Sequence, residues 1–189
     1  MDLRSFEAAA WARLMEAAAD PHAGFRYVTL CTVDAAQRPQ ARIVVLRECD
    51  DERRMLTFHT DVRSPKWQEM AANPQVTVLG YCHERRLQLR LAGQVHCYAA
   101  GSEIARNTWR ALPPHTRQTY NGGPPGEVRA TAPLAGESTG PETGESRFGV
   151  VILQASSLDA YQLQRNDNQR ALFRYAADGV LQASAWINP

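Results

Sequence analysis

The distribution of hydrophobic residues along the chain predicts one helix followed by a long run of strands. Residues 2–19 place apolar side chains at helical spacing, and Asp20-Pro21 ends the pattern, so we expect a helix there. From Phe25 onward, β-branched and aromatic residues recur in short runs separated by turn residues. The strands predicted in this part of the chain are Arg26–Val33, Ala41–Glu48, Met55–Thr60, Gln75–Cys82 and Arg86–Tyr98.

The clearest alternation lies at the start of the fifth predicted strand. Polar side chains at alternate positions face one way, and the leucines between them face the other way: Arg86, Gln88 and Arg90 against Leu87, Leu89 and Leu91. One face of this strand is therefore expected in the core. The other face is expected to contact water or a polar partner.

The remaining patterns extend the strands into a barrel. Helices are predicted at Ser64–Ala72 and Ser102–Leu112, because each begins at a good N-cap and ends before proline. Four more strands are predicted: Phe148–Leu153, Ser157–Leu163, Arg170–Tyr175 and Gly179–Trp186. About nine short strands with mostly short connections predict a mainly β fold, an antiparallel barrel with flanking helices.

A segment rich in glycine and proline separates the two groups of strands. We predict that 1–189 forms a single domain and that the segment at about 121–146 is an insertion without regular structure. Its Tyr120–Gly126 end is expected to be ordered near the functional site. Its second half is expected to be mobile or disordered.

Composition narrows the classes of partner. The net charge is +1, so no overall basic field attracts nucleic acid or anionic lipid. The four cysteines lie far apart and lack the spacing of a zinc site. No apolar run is long enough to cross a membrane. We therefore expect a cytoplasmic protein with reduced thiols and with no metal, nucleic-acid or membrane partner.

The stretch from Thr57 to Lys66 is the strongest candidate for an anion site. A strand ends near Thr60 and a helix begins at Ser64, with Pro65 in the first helical position, where proline is tolerated. Backbone N–H groups at such a start attract anions, and Arg63 and Lys66 add positive charge within one turn. On this stretch alone, an ordinary capped surface helix with solvated basic residues is the favoured interpretation.

Arg42 favours the anion site. It lies in the otherwise apolar strand Arg42-Ile-Val-Val-Leu-Arg47, and Arg42 and Arg47 point to opposite faces because they are five residues apart. A half-buried arginine needs an anionic partner. If the second and third strands pair, Arg42 lies beside Thr60–Lys66, and the combined positive charge suits a phosphate group.

These residues resemble the pyridoxamine 5'-phosphate oxidase-like family of FMN-binding split barrels. The likeness runs from Thr29 to Gly93 and returns near Tyr161-Gln162 and Phe173-Arg-Tyr175. It rests on five motifs in the same order: Arg42-Ile-Val-Val-Leu-Arg47, Phe58-His-Thr60, Ser64-Pro-Lys66, Asn73-Pro74 and Leu87-Gln-Leu-Arg-Leu-Ala-Gly93. The resemblance implies a Greek-key split β-barrel of the FMN-binding type, a homodimer, and FMN bound at the dimer interface.

The resemblance also implies roles for individual residues. Those that would bind the FMN phosphate and ribityl chain are Arg42, Lys66, Ser64, Arg63, His59 and Thr60. Those that would lie along the flavin are the backbone of Ile43, Val44 and Val45, with Arg47 in the same strand. Gln88 would hydrogen-bond the isoalloxazine ring, and Tyr161 would reach the flavin from the partner subunit.

The chain departs from the oxidase where the oxidase binds its substrate. The Arg-x-His pair of the oxidase aligns with Asn168 and Arg170, and Pro65 replaces a second basic residue beside the lysine. The helix residues that hold the substrate phosphate align poorly with Thr108 and Leu112, and the 124–146 segment has no counterpart. The resemblance therefore indicates a related branch of the family rather than the oxidase itself.

Three functions follow from the sequence. The first is an FMN-dependent oxidoreductase that passes hydride between flavin N5 and a small organic substrate, with no residue assigned as the catalytic acid or base. Arg170 and Arg174 would hold an anionic substrate, and solvated strand arginines are the alternative interpretation. The second is a non-catalytic protein that binds FMN or another phosphorylated ligand. The third is a structural dimeric barrel.

Overall fold

Six antiparallel strands close into a barrel, and two further strands extend it. The structure is a computed structural model and describes residues 1–128, 144–165 and 167–189. Within those ranges the strands are β1 (Tyr27–Val33), β2 (Pro39–Asp50), β3 (Met55–Asp61), β4 (Gln75–Cys82), β5 (Leu87–Tyr98), β6 (Phe148–Gln162), β7 (Gln169–Tyr175) and β8 (Leu181–Trp186). Their order is β3-β2-β1-β4-β5-β6-β7-β8, and β3 also pairs with β6, which closes the ring.

The order of the first four strands is that of a Greek key. In a Greek key the fourth strand returns to lie beside the first, and β4 pairs with β1 here. Every strand pairing is antiparallel. The predicted fold class, a mainly β, antiparallel Greek-key split barrel with flanking helices, is confirmed.

Four helices flank the barrel within the described ranges: α1 (Leu3–Ala19), α2 (Pro65–Ala72), α3 (Glu103–Ala111) and α4 (Pro114–Gln118). The Asp2 side chain caps α1 by accepting a hydrogen bond from the Ser5 N–H. Helix α3 ends before Pro113, as predicted, and α4, which was not predicted, begins at Pro114 because proline is tolerated in a first helical turn. None of the described helices has the length and apolar character needed to cross a membrane.

The prediction of two strands over Phe148–Leu153 and Ser157–Leu163 was wrong, because β6 is continuous. Ala92 pairs with Ser157 and Gly93 pairs with Ala155, so Ser156 is an extra residue on β6, a β-bulge. The exposed Ser156 hydroxyl donates to the Ala92 carbonyl across the bulge. The polar residues that resembled a turn therefore mark an irregularity inside one strand.

Strand β6 also determines where α2 lies. A side chain at Gly149 would place its Cβ 2.5 Å from the Trp67 ring, so only glycine leaves room for this contact. Trp67 follows Lys66 in the first turn of α2. The close approach of Trp67 to β6 therefore fixes the start of α2 beside the ends of β3 and β6.

Candidate functional site

Arg42 lies on the inner side of β2 and binds a residue of α2. Its Nη2 donates to Glu69 Oε2 at 2.8 Å, and its Nη1 donates to the Thr32 hydroxyl and, at 3.3 Å, to the Leu30 carbonyl. The sequence analysis required an anionic partner for Arg42, and it missed Glu69. Arg42 still keeps about a quarter of its side chain exposed (24%).

Lys66 is the cation of this site without a carboxylate partner in the described part of the chain. Of the 21 lysine and arginine residues, it is the single lysine. Burial, and after it the like charge of Arg42, lowers the pKa of the Lys66 ammonium. Arg42 and Lys66 therefore lie close together, as predicted, and they carry more positive charge than Glu69 neutralises.

Asp61 shares the loop before α2 with the predicted phosphate-binding residues. Its carboxylate accepts hydrogen bonds from Arg63 Nε at 3.0 Å and Arg63 Nη2 at 2.6 Å, and also from the Arg63 backbone N–H. Ser64 occupies the N-cap position but makes no capping bond, since its hydroxyl donates to the Asp61 carbonyl. Thr60 lies 3.3 Å from the Ser64 hydroxyl, and both side chains are buried.

The chain after α4 is held against this loop. Gly122 O accepts hydrogen bonds from Arg63 Nη2 and from Arg147 Nη1, each at 3.0 Å. Tyr120 is buried, and Gly126 lies against Pro65. The chain from Tyr120 to Gly126 therefore packs against the residues that open α2. The rest of the predicted insertion, from 129 to 143, lies outside the described residues.

The outer face of β2 is the side of the strand opposite to Arg42. Ile43 is 63% exposed and Val45 is half-buried on this face, whereas Val44 points into the core. Tyr27 of β1 pairs with Val45 and is 61% exposed. Together these side chains form a flat apolar surface.

Arg47 and His59 lie next to each other on that outer face. Arg47 falls at the irregularity between Leu46 and Glu48 in the β2–β3 pairing, and it forms no salt bridge with any described residue. The His59 ring packs edge-on against Phe148 at 5.1 Å. Among the described residues, neither ring nitrogen of His59 has a hydrogen-bond partner, and the Arg47 Nε also lacks one. Unpaired buried polar atoms such as these indicate a polar ligand.

The buried imidazole predicts a specific loss of stability in acid. Burial, and after it the charge of Arg47, lowers the pKa of His59 to about 4. In the unfolded chain the ring takes up a proton near pH 6.5, so between pH 6.5 and 4 only the unfolded state gains that proton. We expect His59 to reduce the free energy of unfolding by about 3 kcal/mol as the pH falls through this range.

Urea unfolding of the wild type and of His59→Phe at pH 7 and pH 4 measures this effect. The phenylalanine preserves the ring contact and cannot take up a proton, so its difference between the two pH values should be smaller by that amount. His22→Phe, on an exposed loop, is the control and should behave as the wild type. Equal pH dependence of the wild type and His59→Phe would show that His59 does not contribute.

Gln88 and Tyr161 are brought together on the outer face of β5 and β6. They are directly opposite each other in the strand pairing, and Tyr161 also faces Arg170 of β7. The Arg170 guanidinium lies 5.7 Å from the centre of the Tyr161 ring. The predicted ring-binding residues therefore form one cluster with Arg170.

Asp159 is the centre of this cluster and was not predicted. It is 2% exposed and accepts hydrogen bonds from Arg170 Nη2 at 2.8 Å and Arg90 Nη2 at 2.7 Å. Burial acts to raise the Asp159 pKa, but the two arginines outweigh it and the pKa lies below its usual value. One carboxylate between two guanidinium groups leaves the cluster with net positive charge.

Arg174 is not part of that cluster. It is exposed on β7, four residues beyond Arg170 and thus about 13 Å further along the strand. It pairs with Ser157 and Ala183 rather than with residues of the ring cluster.

No group of three or more His, Cys, Asp or Glu residues within the described ranges is arranged to hold a metal ion.

The residues at the start of α2 fit a phosphate ester. Lys66 is half-buried and forms no salt bridge with a described residue, and the Arg42 side chain beside it is about a quarter exposed. On the opposite face of β2, Arg47 and His59 add buried polar atoms that have no hydrogen-bond partner among the described residues. The apolar face of β2 and the amide of Gln88 suit a planar ring with polar edges.

Comparison with known proteins identifies the same part of the chain. Residues 8–99 match the family model for the FMN-binding domain of pyridoxamine 5'-phosphate oxidase. A pyridoxine/pyridoxamine 5'-phosphate oxidase of Cupriavidus necator is 40% identical over 92 residues, which are 49% of this chain and 39% of the relative. The corresponding enzyme of Paraburkholderia phytofirmans is 41% identical over 68 residues, which are 36% of this chain and 31% of the relative. The matches thus span about a third of the curated relatives.

Solved structures agree in fold over nearly the whole chain. A pyridoxamine 5'-phosphate oxidase-related, FMN-binding protein of Nostoc punctiforme has a TM-score of 0.79 at 22% identity, covering 96% of each chain. PhzG of Burkholderia lata, solved with tetrahydrophenazine-1-carboxylic acid, has a TM-score of 0.67 at 15% identity, covering 96% of this chain and 90% of that one. The barrel fold, the segment matched by the family model and the sequence motifs all indicate the same family. Residues 8–99 are thus similar to the FMN-binding domain of the pyridoxamine 5'-phosphate oxidase-like family, and FMN is the cofactor of that family.

Proposed function

We propose that this protein binds FMN at the start of α2 and acts as an oxidoreductase on a small organic substrate. The observation that carries the proposal is Lys66, a half-buried ammonium group beside Arg42 that forms no salt bridge with a described residue. A buried cation is costly without an anion, so the site is suited to the phosphate of a ligand. Arg42 and Lys66 would hold that phosphate.

The other predicted residues would place the ring. The backbone of Ile43–Val45 and the apolar outer face of β2 would support one side of it. Gln88 would donate to or accept from its polar edge, with Tyr161 beside it. FMN, when bound, supplies a flavin N5 that accepts or donates hydride. The protein's part is to orient the ring and to shield it from water.

We propose an anionic substrate for the ring end of the site. A cavity of about 350 Å³ opens beside Arg170 between the turn at 167–169 and Trp186. Asp159 pairs with both Arg90 and Arg170 and neutralises only one of these two charges. One positive charge therefore remains for an acidic group on the substrate. Because Asn168 and Arg170 stand where the oxidase has its Arg-x-His pair, we propose a substrate other than pyridoxamine phosphate.

We also propose that the active form is a homodimer with FMN at the interface. The outer face exposes large hydrophobic side chains on neighbouring strands, Tyr27, Ile43 and Tyr81, the last 46% exposed. Such a patch on a soluble barrel is typical of an interface. Sedimentation of the FMN-loaded protein should give the mass of two chains, and a monomer that retains FMN would refute this part of the proposal.

Titration with FMN tests the proposed function directly. Purified protein should quench flavin fluorescence, and gel filtration should recover a yellow protein with one FMN per chain. Reduction of the bound flavin by NADH or NADPH, followed by oxygen consumption, favours the oxidoreductase. A yellow protein that neither donor reduces favours the non-catalytic FMN-binding function. If the protein does not quench flavin fluorescence and is colourless after gel filtration, both the oxidoreductase and the non-catalytic FMN-binding function are refuted.

A further inference from the structure

Glu69 is the carboxylate that pairs with Arg42, and it has no role in the function proposed so far. One of its oxygens, Oε2, accepts hydrogen bonds from Arg42 Nη2 at 2.8 Å and from the Thr32 hydroxyl at 2.5 Å. Thr32 is 3% exposed, and its hydroxyl also accepts a hydrogen bond from Arg42 Nη1. Three side chains from β1, β2 and α2 thus form a closed hydrogen-bonded set.

We propose that Glu69 is a positioning residue of the phosphate site. Through Thr32 it would hold the Arg42 guanidinium in one orientation, with its free edge toward the phosphate that Lys66 also contacts. The inference rests on the proposed function, because it assigns Glu69 to the binding of the same FMN phosphate.

Preorganisation is the physical reason for a carboxylate in a site that binds an anion. A free arginine side chain has many rotamers and loses that freedom when it grips a ligand. Contacts with Glu69, Thr32 and the Leu30 carbonyl restrict Arg42 before any ligand arrives. Binding then does not have to order the side chain, and this strengthens affinity.

The charge of Glu69 has the opposite effect. The set of Arg42, Lys66 and Glu69 carries a net charge of about +1, where the two cations alone would carry about +2. Its negative charge near the phosphate weakens the attraction, whereas its hydrogen bonds keep Arg42 in place. The two effects can be separated, because glutamine preserves an acceptor oxygen for Arg42 and Thr32 but has no charge.

The experiment compares FMN with riboflavin, which has the same ring and lacks the phosphate. Dissociation constants are measured by fluorescence quenching for the wild type, Glu69→Ala, Glu69→Gln and Thr32→Val. Glu16→Ala, which removes an exposed carboxylate paired with Arg13 on α1, is the matched control. Circular dichroism confirms that each variant is folded.

Positioning predicts a pattern that a general loss of structure would not produce. Glu69→Ala should weaken FMN binding about tenfold or more, and Thr32→Val several-fold, while riboflavin binding changes less than about twofold. Glu69→Gln should bind FMN as tightly as the wild type or more tightly. If Glu69→Ala does not fold, the combination of a weakened Thr32→Val and an undiminished Glu69→Gln still supports the proposal, and any other combination overturns it.

Two further results would overturn the positioning role. Equal weakening of FMN and riboflavin in Glu69→Ala would mean that Glu69 only supports the fold. Tighter FMN binding in Glu69→Ala would mean that Glu69 competes with the phosphate instead of orienting Arg42. A wild type that binds neither flavin would instead refute the proposed function, so the two failures can be told apart.

Discussion

Replacing Lys66 with methionine is expected to weaken FMN binding by about 2–5 kcal/mol, the usual cost of removing one partner of a desolvated charge pair. Riboflavin binding should change by less than about 0.5 kcal/mol, because only the phosphate would contact the ammonium. Without ligand, the variant should be as stable as the wild type or more stable by up to about 1 kcal/mol, since burial disfavours the Lys66 charge.

Flavin fluorescence titration and urea unfolding of the ligand-free protein measure these two effects. Arg38→Met is the matched control, because Arg38 is an exposed cation paired with Asp34 on the β1–β2 turn. That variant should bind both flavins as the wild type does. If Lys66→Met kept wild-type affinity for FMN, the phosphate would have to lie elsewhere.

The fold followed from the sequence wherever side chains alternate strictly. The alternation from Leu87 to Leu91 placed β5 correctly, with its leucines buried and Gln88 on the outer face, whereas Arg86 lies in the turn before the strand. It failed at Ser156, because a single extra residue in a strand interrupts the pattern in the same way as a turn does. Only the pairing with Ala92 and Gly93 shows that β6 continues as one strand past Ser156.

The sequence predicted the directions of the side chains along a single strand, but it did not predict which residues of other elements they contact. Residue spacing placed Arg42 and Arg47 on opposite faces of β2, and the structure agrees. The partner of Arg42 was missed because the contact between β2 and α2 depends on how the helix packs. A signal was nevertheless present: Glu69 is three residues after Lys66 on the same helix, so the two side chains share a face.

Asp61 and Asp159 are two further carboxylates near the site that the sequence analysis missed. Each buried carboxylate lies two residues from a predicted site residue, Arg63 or Tyr161, and alternation along β6 would place Asp159 beside Tyr161. The sequence analysis counted the cations of the site and not these carboxylates. The charge of a binding site depends on both, so its cations alone overstate its attraction for a phosphate.

Replacing Arg54 with alanine is expected to lower the free energy of unfolding by about 3–5 kcal/mol without changing flavin affinity in the folded protein. Arg54 forms a salt bridge with Glu7 of α1 at 3.0 Å, and both side chains are largely buried. Its guanidinium also lies 5.1 Å from the centre of the Trp11 ring and 5.0 Å from that of Tyr175. Its loss leaves the Glu7 carboxylate buried without a cation and removes two cation–π contacts that join α1 to the barrel.

Urea unfolding of a double mutant separates the charge from the packing. Glu7→Gln combined with Arg54→Met removes both charges and keeps most of the volume, so it should recover a large part of the stability that Arg54→Ala loses. Glu16→Ala breaks an exposed ion pair on the same helix and should cost less than about 1 kcal/mol. If Arg54→Ala cost no more than Glu16→Ala, the buried ion pair would add nothing to the attachment of α1, which would then depend on apolar packing and on hydrogen bonds such as that from Trp11 Nε1 to the Tyr175 hydroxyl.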